Sequence, residues 1–152
     1  LRRTVRGNLM HALRVAGVKR KDRPSKLAHL LTIASLTTLT DMPARRLSGG
    51  EQQRLQMARA LASEPSWILL DEPTASLDPA ATSVFEALVR QISDEGVKVI
   101  LVTHDRAQAE RLGGDIVLMH KGRVVEHKSA SDFFAVPDTD EGRAYLAGDL
   151  LV

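Results

Sequence analysis

The sequence contains no cysteine, and aromatic residues make up only 3% of its 152 positions. The first absence excludes a disulfide framework, a thiol nucleophile and a cysteine-ligated zinc centre. The second leaves no aromatic side chain before Trp67, so that whole stretch offers no stacking platform for unpaired bases. No apolar run approaches the roughly 18 to 20 residues that a membrane-spanning helix requires. What is present suffices for an ordinary folded domain. Hydrophobic residues make up 43% of the chain and charged residues 26%. A chain of this length buries roughly 68% of the surface its unfolded form exposes, without disulfides or a structural metal.

The net charge of +2 conceals an asymmetry. Residues 1–26 carry nine basic side chains (Arg2, Arg3, Arg6, Arg14, Lys19, Arg20, Lys21, Arg23 and Lys26) against Asp22 alone, a balance of +8 that leaves −6 for the remainder. A basic arm suits nucleic acid or anionic lipid. Without interleaved aromatics no nucleic-acid partner is expected, and the plainer reading of the arm is a solvated helical face.

The first 46 residues read as helical. Thr4 caps a segment to about Val15 with Val5, Leu9, Ala12 and Leu13 near one face, and Pro24 or Ser25 opens a second with Leu27, Leu30, Leu31 and Ala34. Gly17 to Arg23 reads as a loop. From Trp67 the pattern changes. Trp67 to Leu70 and Val97 to Val102 are short continuous apolar runs, as in strands covered on both faces. Between them Asp78 and Pro79 supply a cap and a first-turn residue for a helix carrying Val84, Phe85, Leu88, Val89 and Ile92. Strand, helix, strand implies a right-handed parallel crossover. Ile116 to His120 and Arg123 to His127 flank Lys121-Gly122, a two-residue hairpin turn.

Three places carry chemistry. In Leu47-Ser48-Gly49-Gly50-Glu51 the Ser48 and Glu51 pair fits a capping box at the start of a helix running toward Pro65. Its glycines leave the first backbone amides uncovered where the helix dipole is positive, a setting for an anion. Taken alone, the same residues read as a plain cap after a flexible turn. Asp71 and Glu72 set two adjacent carboxylates at the carboxyl end of the Trp67 strand, where open parallel sheets bind ligands. Asp71 suits magnesium, which needs one or two carboxylates when phosphates and water supply the rest. Glu72 is then left to orient or deprotonate a water. Two solvated acids at a strand end are the plainer alternative. His104 follows the second apolar strand and approaches Glu72 if the two strands are neighbours; there it donates to a phosphate oxygen or orients the water.

These residues resemble a known family. Ser48-Gly49-Gly50-Glu51-Gln52 is similar to the signature motif of ATP-binding-cassette (ABC) ATPases, and Ile68 to Glu72 to their Walker B strand. Ser76-Leu77-Asp78 resembles the D-loop, and His104 stands where the switch histidine belongs. The resemblance implies an α/β, P-loop NTPase-like ABC ATPase core. It divides the chain into a helical and signature subdomain (1–64), a core from Walker B to the H-loop with its hairpin (65–128), and a helical tail (129–152). It also implies two such domains head to tail with ATP and Mg²⁺ between them. Ser48, Gly49, Gly50 and Glu51 would then contact nucleotide, Asp71 would bind the metal, and Glu72 would be the catalytic base. His104 would position water and phosphate, and Asp78 would link the two sites. The implied partners are a second ATPase subunit, transmembrane permease subunits and a substrate-binding protein, with the chain peripheral on the cytoplasmic face of the cell membrane.

The departure from the family pattern is as informative. No glycine is followed by lysine, so the phosphate-cradling Gly-x-x-x-x-Gly-Lys-Ser/Thr loop does not occur, and the earliest glutamine is Gln52, so the Q-loop glutamine does not either. The resemblance therefore implies the back half of a domain, beginning just after the Q-loop and inactive in ATP hydrolysis by itself. The tail, from Gly122-Arg123-Val124-Val125-Glu126 to Pro137, resembles prokaryotic importers, and Phe133 to Leu151 resembles ATPases for oxyanions such as tungstate. A non-transport ATPase of the same superfamily, or a non-catalytic module bearing the signature, are the alternatives.

Overall fold

The computed structural model describes residues 3–149, so Arg2 at the start of the basic arm, and Leu150 and Leu151 at the end of the oxyanion-like tail, lie outside the described residues. Two compact units divide the chain, Leu1–Val102 and Thr103–Val152.

The first unit opens with helix α1 (Val5–Val15), whose Thr4 hydroxyl accepts from the Gly7 amide as the sequence predicts. Helix α2 spans Arg23–Ile33. It starts one residue ahead of the expected Pro24 because proline, lacking an N–H, fits the first turn as well as its edge, and Asp22 makes no side-chain cap bond. Single 3₁₀ turns at Thr37–Leu39 and Ala44–Arg46 lead to helix α3 (Gly49–Leu61). The stretch to residue 46 is thus helical in two places, with tighter turns after them. Leu9, Leu13, Leu30, Leu31, Leu36 and Leu55 close one core among the three helices.

Strand β1 (Trp67–Asp71), helix α4 (Pro79–Asp94) and strand β2 (Lys98–Val102) complete the unit. β1 and β2 are parallel neighbours, in a register that pairs Trp67 with Lys98 and Asp71 with Val102. Phe85, Leu88, Val89 and Ile92 of α4 are buried; Val84, expected on that face, is exposed. The apolar runs predict strands covered on both faces, and one face is covered. Ile68, Leu70, Val99 and Leu101 lie on the shielded side. Trp67, Leu69, Ile100 and Val102 are 57%, 58%, 48% and 48% exposed. Side chains alternate across a strand, so these four exposed residues share the sheet's second face.

The second unit holds helix α5 (Arg106–Leu112), the antiparallel pair β3 (Asp115–His120) and β4 (Arg123–Ser129), and helices α6 (Ala130–Ala135) and α7 (Asp140–Ala147). The expected Lys121-Gly122 turn joins β3 to β4 with φ of 47° and 74°, the positive values a two-residue hairpin requires. Phe133 is fully buried, edge-on to Phe134 at 5.4 Å and 6.1 Å from Tyr145. No helix among the described residues is long and apolar enough to cross a membrane.

Candidate functional site

At the start of α3 the capping box is closed. The Ser48 amide donates to Glu51 Oε2 at 2.7 Å and the Glu51 amide to Ser48 Oγ at 3.4 Å. Gln52 adds a bond from Nε2 to the Leu47 carbonyl at 2.9 Å. Sequence reasoning gave Gln52 only a place in a motif; here it braces the residue before the cap. No helix supplies acceptors for its own first amides, so those of Gly49 and Gly50 stand at the positive end of α3. Gly49 is exposed and Gly50 buried.

Gly50 has a second reason to lack a side chain. A Cβ there would stand 2.7 Å from the Cβ of Ala81 in the first turn of α4. A Cβ on Gly49 would meet Leu77 Cδ2 at an ordinary 3.5 Å. The signature start and the Leu77-Asp78 turn are therefore packed side by side. Asp78 caps α4, its Oδ1 accepting from the Ala81 amide at 2.8 Å. The sequence flags Ser48 to Gly50 and Asp78 separately, and the structure brings them together.

Asp71 and Glu72 lie at the carboxyl end of β1. The Glu72 amide donates to the Val102 carbonyl at 2.9 Å, carrying the sheet ladder one residue past the strand. Glu72 then takes a left-handed φ of 43°, and the chain turns through bonds from Ala75 N to Glu72 O and from Leu77 N to Thr74 O. Such a backbone costs a residue with a Cβ about 1–2 kcal/mol and recurs where function holds a side chain in place. Asp71 is exposed and, with Gln53, Gln56, Met57 and Trp67, borders a groove of about 390 Å³ between α3 and β1.

His104 lies two residues beyond Val102, at the head of the second unit. The strand before it is the neighbour of the Walker B-like strand, the condition on which its role rests. Thr103 and Asp105 bracket it, residues that sequence reasoning missed. The Asp105 amide donates to Thr103 Oγ1 at 3.0 Å, and Asp105 Oδ1 accepts from the Gln108 amide at 3.1 Å, capping α5.

Among the described residues no group of three or more His, Asp or Glu is arranged to hold a metal unaided. A nucleotide-bound Mg²⁺ asks for less, one or two carboxylates with phosphate oxygens and water. Asp71, exposed beside Glu72, fits that donor set.

The solved structure of cbiO1 from Clostridium perfringens, described as part of the ABC transporter complex cbiONQ, matches this chain with a TM-score of 0.82 and 26% identity, over 89% of this chain and 54% of that one. The chain has the fold of an ABC transporter ATPase domain. The family model described as ABC transporter matches residues 2–75, a range that takes in Ser48 to Glu51, Asp71 and Glu72. Among curated relatives, the methionine import ATP-binding protein MetN of Bordetella avium is 39% identical over 147 residues, 96% of this chain and 41% of that protein. The phosphate import ATP-binding protein PstB of Mycoplasmoides gallisepticum is 36% identical over 146 residues, 93% of this chain and 45% of that protein. The chain thus spans less than half the length of these relatives.

Proposed function

We propose that the chain is the signature-bearing and Walker B-bearing part of an ATP-hydrolysing subunit in an ABC importer. The observation that carries the reading is the pairing of the acidic strand end, Asp71-Glu72, with the strand that leads into His104. Two copies would sit head to tail, with a phosphate-cradling loop supplied by polypeptide other than these 152 residues. The three-part division at 64/65 and 128/129 belongs to the same proposal.

Ser48 Oγ and the Gly49 and Gly50 amides donate to the terminal phosphoryl group of a nucleotide held chiefly by the partner copy. Glu51 keeps that helix start in shape through its bond to the Ser48 amide. Asp71 would hold Mg²⁺ jointly with phosphate oxygens, and the ion supplies charge neutralisation at those oxygens. Glu72 accepts the proton of the attacking water, and His104 donates to the departing phosphate. The water's oxygen joins the terminal phosphorus as its bond to the bridging oxygen breaks, giving ADP and inorganic phosphate. Asp78, beside the signature start, joins one site to the other. Permease subunits, a substrate-binding protein and a peripheral position on the cytoplasmic face complete the reading. Relatives named for different cargoes, methionine and phosphate, match this chain comparably. That supports a role in powering transport, and the oxyanion assignment of the tail adds a class of cargo to be tested.

In the assembled transporter, Glu72→Gln is expected to retain ATP binding while hydrolysis falls by about 10²–10⁴-fold, the usual contribution of a positioned base. Phosphate release and nucleotide binding measured on one preparation decide it. Wild-type turnover in the variant would remove Glu72 from the mechanism. The 152-residue chain alone is expected to show no micromolar Mg-ATP binding by calorimetry, since no Gly-Lys loop occurs in it.

A further inference from the structure

The link between α1 and α2 is built as a firm support rather than a slack loop. Gly17 takes a left-handed φ of 77°, its amide returns to Arg14 O at 3.1 Å, and the Val18 amide returns to Leu13 O at 3.0 Å. Val18 packs against the helical core, and Arg23 Nε donates to its carbonyl at 2.8 Å. One further bond, from Asp22 N to Lys19 O at 2.9 Å, closes a four-residue turn with Arg20 and Lys21 at its corners.

Lys19, Arg20 and Lys21 are all exposed, and the ion pairs seen among the described residues lie elsewhere. Asp22 is the only acid in the first 40 residues, and residues 14–23 sum to +4. Four residues before Lys19, Val15 is 74% exposed at the end of α1, next in sequence to exposed Arg14. Basic side chains of one sign, held at a fixed turn in the same link as a bare aliphatic group, match an interface where phosphates lie over an apolar layer.

We propose that the Lys19–Asp22 turn is a contact point for the anionic headgroups of a lipid bilayer. The attraction is sequence-independent and acts within the roughly 8 Å over which physiological salt leaves charges unscreened. Because Gly17, Val18 and Arg23 already fix the turn, little further ordering opposes contact. Nucleic acid fits less well: a single compact tip does not track a backbone, and no aromatic residue precedes Trp67 to stack on a base. The inference rests on charge and geometry in this segment and not on the ATPase reading.

Sedimentation of the full chain with phosphatidylcholine vesicles, with and without phosphatidylglycerol and at low and high salt, tests it. Binding is expected only with phosphatidylglycerol and should weaken with salt. The triple change Lys19→Gln, Arg20→Gln, Lys21→Gln should lower vesicle affinity by about 100-fold. The change Lys98→Gln, Lys121→Gln, Arg123→Gln, equal in charge but placed elsewhere, should retain most of it. Equal loss in both variants would reduce the effect to net charge and overturn the assignment, as would equal binding to neutral vesicles. Tighter binding to duplex DNA than to anionic vesicles, abolished by the turn variant, would transfer the turn to nucleic acid and overturn it too. Unchanged circular dichroism in both variants is expected, because no side-chain bond of Lys19, Arg20 or Lys21 is among those that hold the fold.

Discussion

Glu72 holds a left-handed backbone, φ 43°, that costs a non-glycine residue about 1–2 kcal/mol, while glycine in place of another residue loses about 0.5–1 kcal/mol through chain entropy. Glu72→Gly is therefore expected to be more stable than Glu72→Ala by up to about 1.5 kcal/mol, since both changes remove the side chain and only glycine relieves the backbone, even as each abolishes the proposed hydrolysis. Urea denaturation beside turnover of the assembled transporter checks both halves. Gly50 makes the opposite case. Gly50→Ala puts a methyl group 2.7 Å from Ala81 Cβ. Overpacking of this kind costs about 1–3 kcal/mol, to be read as a lowered denaturation midpoint. Ser48 needs a more careful replacement, because alanine would remove the helix cap as well as the hydroxyl. Ser48→Asp keeps capping strength and puts an acceptor-only carboxylate in place of the proposed phosphate donor. In mixed dimers it should impair the site completed by the variant signature while the melting curve stays in place; impairment confined to the variant copy's own nucleotide site would contradict the head-to-tail arrangement.

Glu126 shows a residue whose work is structural. It is buried on β4, where its carboxylate accepts from Asp138 N at 2.8 Å, Thr139 N at 3.1 Å and Thr139 Oγ1 at 2.6 Å. Burial alone would raise its pKa, but the Thr139 hydroxyl, the two amides and the Lys128 charge outweigh that and hold it below its usual value of 4.5. A depressed carboxylate contributes stability above its unfolded pKa and loses it as pH falls through the folded one. Glu126→Gln should thus cost about 1–3 kcal/mol near neutral pH, a deficit that shrinks on acidification below pH 4.5. Urea midpoints of both proteins across that range measure it.

At the level of elements, local chemistry was legible wherever a residue acts on its own neighbours. Thr4 and Asp78 cap helices as expected, Ser48 and Glu51 close their box, and Lys121-Gly122 makes its turn. What stayed hidden depends on distant partners or on a cover from elsewhere. Trp67-Ile68-Leu69-Leu70 reads the same whether one face or two are shielded, since an apolar run records what a strand prefers and not what lies over it. Glu126 meets Asp138 and Thr139 across 12 and 13 residues, with no local pattern to announce it. Nor does sequence reveal the φ of Glu72, because glutamate is not a residue enriched in left-handed backbone. The bare face of β1 and β2 carries its own expectation. An environment-sensitive hydrophobic dye should bind the chain, and Leu69→Thr with Ile100→Thr should reduce that signal; an unchanged signal would place the dye elsewhere.

For the whole molecule, the two units carry complementary parts of the proposed machinery. The first holds the signature start, the acidic pair and Asp78, and the second opens with His104. Neither brings a Gly-Lys loop, so the chemistry proposed here is a property of an assembly. Within the first unit, Gly50 and Ala81 leave no slack between the starts of α3 and α4. Those two helix starts are geared like meshed teeth: in the proposed assembly, torque applied to the signature end would turn the Asp78 corner with it.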